Sequence, residues 1–410
     1  DGDNVLEGLG GDDAIDGGAG TDTASYAADG DGVTVDLGTG TASGVGVGTD
    51  TLTGIENVTG GAGADDITGD ADANVLAGGD GDDILTGGGG DDTLVGGAGE
   101  DMAVVTDAFD IAAFGYDGIS GTWTVTGTGG TDTLDGIEAV TFGDATVWLA
   151  DGGNMSIQAE IAAATGGDTI LVAPGAHTGG ILIDKSVTLL ALEGPVATTV
   201  TGPAAANASA IRIQPGVTGV VIGDDAGHGF TLAAGVGGGA ALYVAQGASA
   251  VSVQGSTLTA SGNNALLTEG GVASLSFVGN TFDGTATQLV YVNGATSVGL
   301  ASTGVDFIDN FFSGSAPNGP LLGLESEGGT LSGNVFDGSS EWAALELWGS
   351  GNALTGSAGE NLFDGFTGAT TIRTPLAFDM NDTPTAASLR LEGTGAVSAT
   401  GHDLDNAITG

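Results

Sequence analysis

An aliphatic residue recurs every nine positions in the first 105 residues, each time after a glycine-rich stretch that ends in an acid or an amide. From residue 60 the units read GGAGADDIT, GDADANVLA, GGDGDDILT, GGGGDDTLV and GGAGEDMAV, and two earlier ones read GLGGDDAID and GGAGTDTAS. The last triplet of a unit predicts a short strand with one inward side chain. The predicted inward side chains are Ile15, Ile67, Leu76, Leu85 and Leu94. The glycines predict tight turns, because glycine adopts positive φ without steric cost.

Two such units make one coil of 18 residues, so equivalent polar positions on successive coils stack on one edge. Asp65, Asp83 and Asp101 form one column, and Asn74 and Asp92 belong to the other. A calcium ion between two coils can take carboxylates from both and complete its shell with turn carbonyls. The predicted side-chain ligands are Asp13, Asp22, Asp65, Asn74, Asp83, Asp92 and Asp101. The predicted carbonyl ligands are Gly60, Gly78, Gly87 and Gly96. Residues 1–105 are therefore predicted to form a β-roll that binds several calcium ions.

Two stretches without the repeat, residues 25–60 and 123–144, interrupt and follow these units. Both contain the sequence T-D-T-L-x-G-I-E, at 49–56 and at 131–138. We interpret them as strands that cover or cap the roll, the second within a β-rich connector over residues 106–150.

A different pattern begins at residue 151 and predicts a parallel β-helix over 151–398. A short helix near 156–165 comes first, with Ser156 as its N-cap and Gly166 after its end. Further along, GNTFDG, DNFFSG, GNVFDG and ENLFDG recur at intervals of roughly one β-helix coil. Their asparagines are predicted to stack at one corner: Asn280, Asn310, Asn334 and Asn361. Their phenylalanines are predicted to stack inside: Phe282, Phe312, Phe336 and Phe363. The fold class is thus all-β, a roll followed by a single-stranded parallel β-helix that we expect to be right-handed.

Composition changes this picture mainly through charge. The 410 residues include 82 glycines but only 8 prolines without a three-residue period, which excludes collagen. There are 53 acids against four bases, a net charge of −49, and no Lys or Arg precedes Lys185. Such acidity excludes nucleic acid as a partner and argues against binding to an anionic membrane surface. Cysteine is absent, which excludes thiolate metal sites, and no apolar run is long enough to span a membrane. Bound metal cations are the expected counter-charge, and all-oxygen ligands point to calcium or magnesium.

The nonapeptides resemble the calcium-binding repeats of RTX proteins, the haemolysin-type family. The run from residue 154 resembles the opening of β-helix proteins of the pectin-lyase-like superfamily, whose helix covers the end of the coil. The first resemblance implies calcium as the only cofactor and export by type I secretion. Residues 399–410 revert to the nonapeptide style, so we expect the chain to be a segment of a larger protein that starts a further RTX block there.

The sequence contains few residues suited to catalysis. The weak candidates are Arg212, His228 and Arg373, and we predict no catalytic residue. The preferred hypothesis is an extracellular structural or adhesive segment, secreted or attached to the cell surface, in a fibre or surface layer. Its expected partners are neighbouring copies or segments, joined through the RTX ends, and a cell-surface polysaccharide, without membrane insertion. The alternative is a uronan lyase or epimerase with accessory RTX modules, or a carbohydrate-binding β-helix.

Overall fold

The structure is a computed structural model that describes residues 2–337 except 153–154, 206, 237 and 295–300. Beyond residue 337 it describes only the short strands given below, with the side chains of Leu345 and Glu346. The chain divides into two compact units, Asp1–Ser156 with Asp168–Ala173 and Ile157–Gly167 with Pro174–Gly410. Both are all-β and mainly parallel, as the sequence predicts.

The first unit consists of short strands joined by turns, with one 3-10 turn at Ile111–Ala113. In chain order the strands are β1 (Val5–Leu6), β2 (Ala14–Asp16), β3 (Thr23–Ser25), β4 (Val33–Asp36), β5 (Thr41–Gly44), β6 (Gly48–Thr53), β7 (Asn57–Thr59), β8 (Asp66–Thr68), β9 (Val75–Asp80), β10 (Ile84–Thr86), β11 (Thr93–Ala98), β12 (Met102–Val104), β13 (Phe114–Asp117), β14 (Thr122–Thr126), β15 (Thr131–Asp135), β16 (Ala139–Thr141), β17 (Thr146–Ala150) and β18 (Thr169–Val172).

The nonapeptide strands alternate between two parallel sheets, which confirms the predicted β-roll. In one sheet β9 pairs with β11, so that Leu76 lies beside Leu94. In the other sheet β8 pairs with β10, so that Ile67 lies beside Leu85. These side chains and Ile15 are buried, as predicted. Each coil therefore adds an aliphatic side chain to both walls of one narrow core.

The first insert lies within the roll, so its interpretation as a cover is wrong for residues 33–53. Strands β4, β5 and β6 form antiparallel hairpins. The outer strands also join the roll in parallel, with Val35 beside Ile67 and Leu52 beside Ile15. Both Val35 and Leu52 are buried. The inward apolar positions of these strands match those of a nonapeptide coil.

The second unit contains helix α1 (Ile157–Ala163) and strands that stack in three parallel sheets. In chain order the strands are β19 (Gly175–Thr178), β20 (Ile181–Ile183), β21 (Thr188–Ala191), β22 (Thr198–Thr201), β23 (Ile211–Ile213), β24 (Val221–Ile222), β25 (Thr231–Ala233), β26 (Leu242–Val244), β27 (Ser249–Gln254), β28 (Thr257–Gly262), β29 (Leu266–Thr268), β30 (Ala273–Val278), β31 (Thr281–Ala286), β32 (Val290–Val292), β33 (Ser302–Ile308), β34 (Phe311–Phe312), β35 (Ser315–Ala316), β36 (Leu322–Glu327), β37 (Thr330–Ser332), β38 (Val335–Phe336), β39 (Ser339–Ser340), β40 (Leu345–Trp348), β41 (Ala353–Leu354), β42 (Thr367–Gly368), β43 (Thr371–Thr374), β44 (Phe378–Asp379), β45 (Ser388–Leu391), β46 (Ala399–Thr400) and β47 (Ala407–Thr409).

The predicted phenylalanine stack of the β-helix is present. Phe282 and Phe312 stack with ring centres 5.0 Å apart, and Phe312 and Phe336 with centres 4.6 Å apart. All three rings are fully buried. Phe363 and Asn361 lie outside the described residues. A second stack, Phe277 on Phe307, adds to the same interior.

Helix α1 matches the predicted helix and buries Ile157 and Ile161. The Lys185 ammonium donates to the carbonyl oxygens of Ala162 and Ala164, at 3.0 and 2.9 Å. A cation at this end of a helix is stabilising, because the last carbonyls carry partial negative charge. In the described part of the chain, no helix is both long and apolar enough to span a membrane.

Candidate metal centre

The predicted aspartate column forms a continuous hydrogen-bond ladder on one edge of the roll. The Asp65 N–H donates to Oδ1 of Asp83 at 2.8 Å, and the Asp83 N–H donates to Oδ1 of Asp101 at 2.9 Å. At its start the Val33 N–H donates to Oδ1 of Asp65 at 2.7 Å. Each carboxylate thus fixes the turn of the preceding coil with one of its two oxygens.

The opposite edge carries the second predicted column. The Asn74 N–H donates to Oδ1 of Asp92 at 2.8 Å, and the Asn4 N–H donates to Oδ1 of Asp22 at 2.8 Å. Asn74 differs from the aspartates because its amide nitrogen donates to the Glu56 carbonyl at 2.7 Å. Its Oδ1 accepts from the Asp70 N–H. Both Oδ1 and Nδ2 of the Asn74 amide therefore have hydrogen-bond partners within the protein.

Four acids that end these ladders were missed by the sequence reasoning. On one edge, Oδ1 of Asp50 accepts the Asp13 N–H at 2.9 Å. The other three bonds are Asp22 N–H to Glu56 Oε2 at 2.8 Å, Asp92 N–H to Asp132 Oδ1 at 3.1 Å, and Asp101 N–H to Glu138 Oε2 at 2.7 Å. The signal that could have found them is the repeated T-D-T-L-x-G-I-E, which holds all four.

The second carboxylate oxygen of most ladder aspartates is buried and has no hydrogen-bond partner. These oxygens are Oδ2 of Asp13, Asp22, Asp83, Asp92 and Asp101. Asp65 is the exception, because its Oδ2 accepts from the Gly61 N–H at 2.7 Å. A buried charged oxygen without a partner is costly and calls for an ion or another donor.

Glycines line the space in front of these oxygens. A methyl group on Gly60 would overlap both the Gly78 carbonyl oxygen and Oδ2 of Asp65. A methyl group on Gly69 would overlap the Gly87 carbonyl oxygen and the side chain of Asn74. The predicted carbonyl donors Gly78 and Gly87 therefore face the ladder.

At Gly60 and Gly96, the lack of a side chain leaves the same kind of space open. A methyl group on Gly96 would overlap Oδ2 of Asp101 and the Gly136 carbonyl oxygen. Each space brings together a backbone carbonyl and a carboxylate, and the absence of a side chain keeps it open.

The electrostatics of the roll favour a cation. Burial, with neighbouring carboxylates as a lesser cause, raises the pKa of Asp83 to about 6 and that of Asp132 to about 6. The same causes raise the pKa of Glu138 to about 7. No Lys or Arg precedes Lys185 and no His precedes His177 in the sequence, so the first unit holds no basic side chain. A bound cation would remove the cost that these shifts express.

The donors present fit calcium. They are oxygen atoms only, from carboxylates and turn carbonyls, which is the ligand set that calcium prefers. Among the described residues, no three acidic, His or Cys side chains converge as a metal cluster. Such convergence is not required where carbonyls supply much of the shell, and the ladder aspartates with the facing glycines would hold the ion.

The two weak catalytic candidates with described side chains, Arg212 and His228, lie apart. Arg212 lies in β23, with its guanidinium carbon 4.4 Å from the ring centre of Tyr243. His228 lies in the turn between β24 and β25, with Nδ1 2.7 Å from Oδ2 of Asp224. Arg373 lies in β43, and its side chain is outside the described residues. The structure thus places Arg212 and His228 at different points of the coil.

Comparison with known proteins identifies the repeats. The family model of the RTX calcium-binding nonapeptide repeat (four copies) matches residues 1–31, 46–80 and 68–103. No curated protein matches the chain. Among solved structures, an alginate lyase from Paenibacillus sp. str. FPU-7 has a TM-score of 0.40 at 12% identity, covering 64% of this chain and 98% of that one. ORF18 of Geobacillus virus E2 has a TM-score of 0.28 at 13% identity, covering 73% of this chain and 68% of that one.

Proposed function

Because the chain carries RTX calcium-binding nonapeptide repeats, we propose that it is a calcium-stabilised structural or adhesive solenoid that works outside the cell. The observation that carries the proposal is the set of buried aspartate oxygens without a hydrogen-bond partner, each facing a glycine turn. Calcium at these oxygens converts a self-repelling acidic roll into a rigid one. RTX repeats are typical of secreted proteins, which supports an extracellular location.

Calcium binding and folding of the roll are then one coupled step. The test is circular dichroism of the full chain in a chelator, followed by titration with calcium and, as a matched control, with magnesium. We expect strand signal to rise with calcium to saturation on the order of millimolar or below, and magnesium to be less effective. Binding of no calcium, or an unchanged spectrum on its removal, would contradict the proposal.

The proposed partners are neighbouring copies or segments of the same protein. The coils of the roll pair with one another along both sheets, so a neighbouring copy or segment can add by the same backbone pairing. Light scattering of the full chain should show larger species in calcium than in chelator, whereas the same mass in both conditions would argue against this partner.

One observation favours a second function, the binding of an acidic polysaccharide by the β-helix. The pairing register places Arg212 beside Tyr243 and, further along the same sheet, Arg373 beside Arg390. These are three of the four basic residues of the sequence. Linked pairs through Leu267, Tyr291, Gly323 and Glu346 join them into one column.

The column combines charge with fixed aromatic rings. The Tyr243 hydroxyl donates to Glu269, and the Tyr291 hydroxyl donates to Glu325 at 2.6 Å. Both rings are partly exposed, and the Arg212 guanidinium lies over the face of the Tyr243 ring. Calorimetry with alginate, pectate and neutral dextran tests this function.

In that experiment Arg212→Ala should weaken binding of the acidic polymers, and Lys185→Ala is the charge-matched control outside the column. Equal binding by the two variants, or no binding by the parent chain, would reject the second function.

A further inference from the structure

The T-D-T-L-x-G-I-E segments continue the roll although they do not follow its nonapeptide pattern. Leu52 of the first segment pairs with Ile15, and Leu134 of the second pairs with Leu94. Both leucines are buried. Each segment therefore occupies the place of the coil that would follow a pair of nonapeptides.

Their acids occupy the places of ladder aspartates. Inside the ladder, the Asp83 N–H bonds to an aspartate 18 residues later. At the two ends described above, the N–H groups of Asp22 and Asp101 bond instead to Glu56 and Glu138. The glutamate makes the same contact from a longer side chain, 34 and 37 residues later.

Their glycines occupy the places of turn glycines. In a regular coil, the Gly78 carbonyl faces the space beside Gly60 and Asp65. At the end of the second block, the Gly136 carbonyl faces the equivalent space beside Asp101. At the end of the first block, a methyl group on Gly17 would overlap the Gly54 carbonyl oxygen and the side chain of Asp22.

The carboxylates at these two ends indicate a bound ligand independently of the glycine positions. Asp22 is 0% exposed and Asp101 is 1% exposed, and Oδ2 of each has no hydrogen-bond partner. A segment that only ended the hydrogen-bond ladder would leave these two oxygens uncompensated. A cation beside the Gly54 and Gly136 carbonyls would compensate them.

We propose that each T-D-T-L-x-G-I-E segment completes a calcium site at the end of a nonapeptide block. The first site combines Asp22 with the Gly54 carbonyl and the Glu56 carboxylate. The second combines Asp101 with the Gly136 carbonyl and Glu138. The proposal rests on the proposed calcium-binding function and adds ligands from outside the nonapeptides.

The test counts the calcium ions on the folded full chain by native mass spectrometry. Glu138→Gln keeps an oxygen that can accept the Asp101 N–H but removes the negative charge. We expect it to carry one ion fewer than the parent, Glu56→Gln to carry one fewer, and the double variant two fewer. Glu100→Gln is the matched control, because Glu100 is an exposed acid next to Asp101 and should leave the count unchanged.

A second variant tests the site without touching an acid. Gly96→Ala places a methyl group between the Gly136 carbonyl and Asp101, and should also remove one ion. Because ions are counted on the folded population only, the number of ions per folded chain can still be measured if a variant lowers the folded fraction. Unchanged counts in the Glu and Gly96 variants, with several ions on the parent, would overturn this proposal alone. A parent chain that binds no calcium would overturn the proposed function as well.

Discussion

The aspartate ladder of the roll and the asparagine ladder of the β-helix use the same backbone contact. In the roll, the Asp83 N–H donates to Oδ1 of Asp101 at 2.9 Å. In the β-helix, the Asn280 N–H donates to Oδ1 of Asn310 at 2.9 Å, and the Asn310 N–H donates to Oδ1 of Asn334 at 3.0 Å. In both, a side-chain oxygen one coil along satisfies a backbone donor in a turn.

The ladders differ in the second terminal atom of the side chain, which is Nδ2 in asparagine and Oδ2 in aspartate. Asn280 and Asn310 donate from Nδ2 to the carbonyls of Val253 and Phe277, at 2.8 and 2.9 Å. In Asp83 the corresponding atom is a carboxylate oxygen without a partner. Exchange of an NH₂ group for an oxygen therefore decides whether a coil closes its own hydrogen bonds or needs a cation.

Calcium removal should have the largest effect and should separate the two regions. We expect amides of residues 60–104 to lose protection from hydrogen exchange in chelator, because their ladder carboxylates then repel each other without compensation. Amides of residues 240–294 should keep their protection. Mass-spectrometric hydrogen exchange on the full chain, with and without calcium, measures both regions in one sample. Equal loss in the two regions would break the comparison.

Acidification should stabilise the calcium-free roll. Burial raises the pKa of Asp83 to about 6 and that of Glu138 to about 7, above their ordinary values. Folded carboxyls with raised pKa hold protons that the unfolded chain has lost, so the calcium-free roll is more stable at pH 5 than at pH 8 and loses that stability as pH rises through 6–7.

Calcium affinity should change in the opposite direction and rise with pH, because the ion must displace those protons. Affinity should fall about tenfold per pH unit below the pKa for each group that must ionise. Calcium titrations at pH 5, 6, 7 and 8 measure this dependence. An affinity independent of pH would show that the buried carboxylates do not bind the ion.

Removal of a ring from the β-helix stack should cost less than removal of all calcium from the roll. Phe312→Ala should destabilise the β-helix by about 3–5 kcal/mol, because the ring is fully buried between two others. Phe311→Ala is the matched control at the neighbouring position, where the ring is 36% exposed, and should cost about 0.5 kcal/mol or less. Urea unfolding in calcium measures both, and similar losses would show that the stack does not carry the core.

The last comparison exchanges the side-chain chemistry of the two ladders. Asn310→Asp removes the donor to the Phe277 carbonyl and places a buried carboxylate oxygen against that carbonyl, so it should cost about 3–5 kcal/mol at neutral pH. The reverse exchange, Asp83→Asn, removes a buried charge and should stabilise the roll in chelator while weakening calcium binding. Urea midpoints for both variants, with and without calcium, test the pair. A stabilising Asn310→Asp would contradict the stated role of Nδ2.

The sequence predicts the regular parts of both ladders because their period is fixed. Asp65, Asp83 and Asp101 are 18 residues apart, so their column can be found by counting. Glu56 and Glu138 cannot be found in this way, because they reach the ladder from 34 and 37 residues beyond their partners.

The hairpins of the first insert and the arginine column were also beyond sequence reasoning. The sequence predicts covering strands in residues 25–60, but the positions of apolar residues do not distinguish a strand that covers a sheet from one that joins it. Arg212 and Arg373 share a column only through the register of the coils between them, whose lengths vary. Arg212 pairs with a residue 31 positions later, whereas Tyr243 pairs with one 24 positions later.

The hairpins of residues 33–53 have a consequence for how disorder can spread along the roll. Each coil of a solenoid is held mainly by its neighbours, so damage at one coil normally loosens the next. Here the ladder from Asp13 stops at Asp50, and a separate ladder begins at Val33 and runs through Asp65. The hairpin strands join the two by antiparallel backbone pairing. We therefore expect each block to couple its own folding to calcium, so that partial calcium loss unfolds one block while the other stays folded.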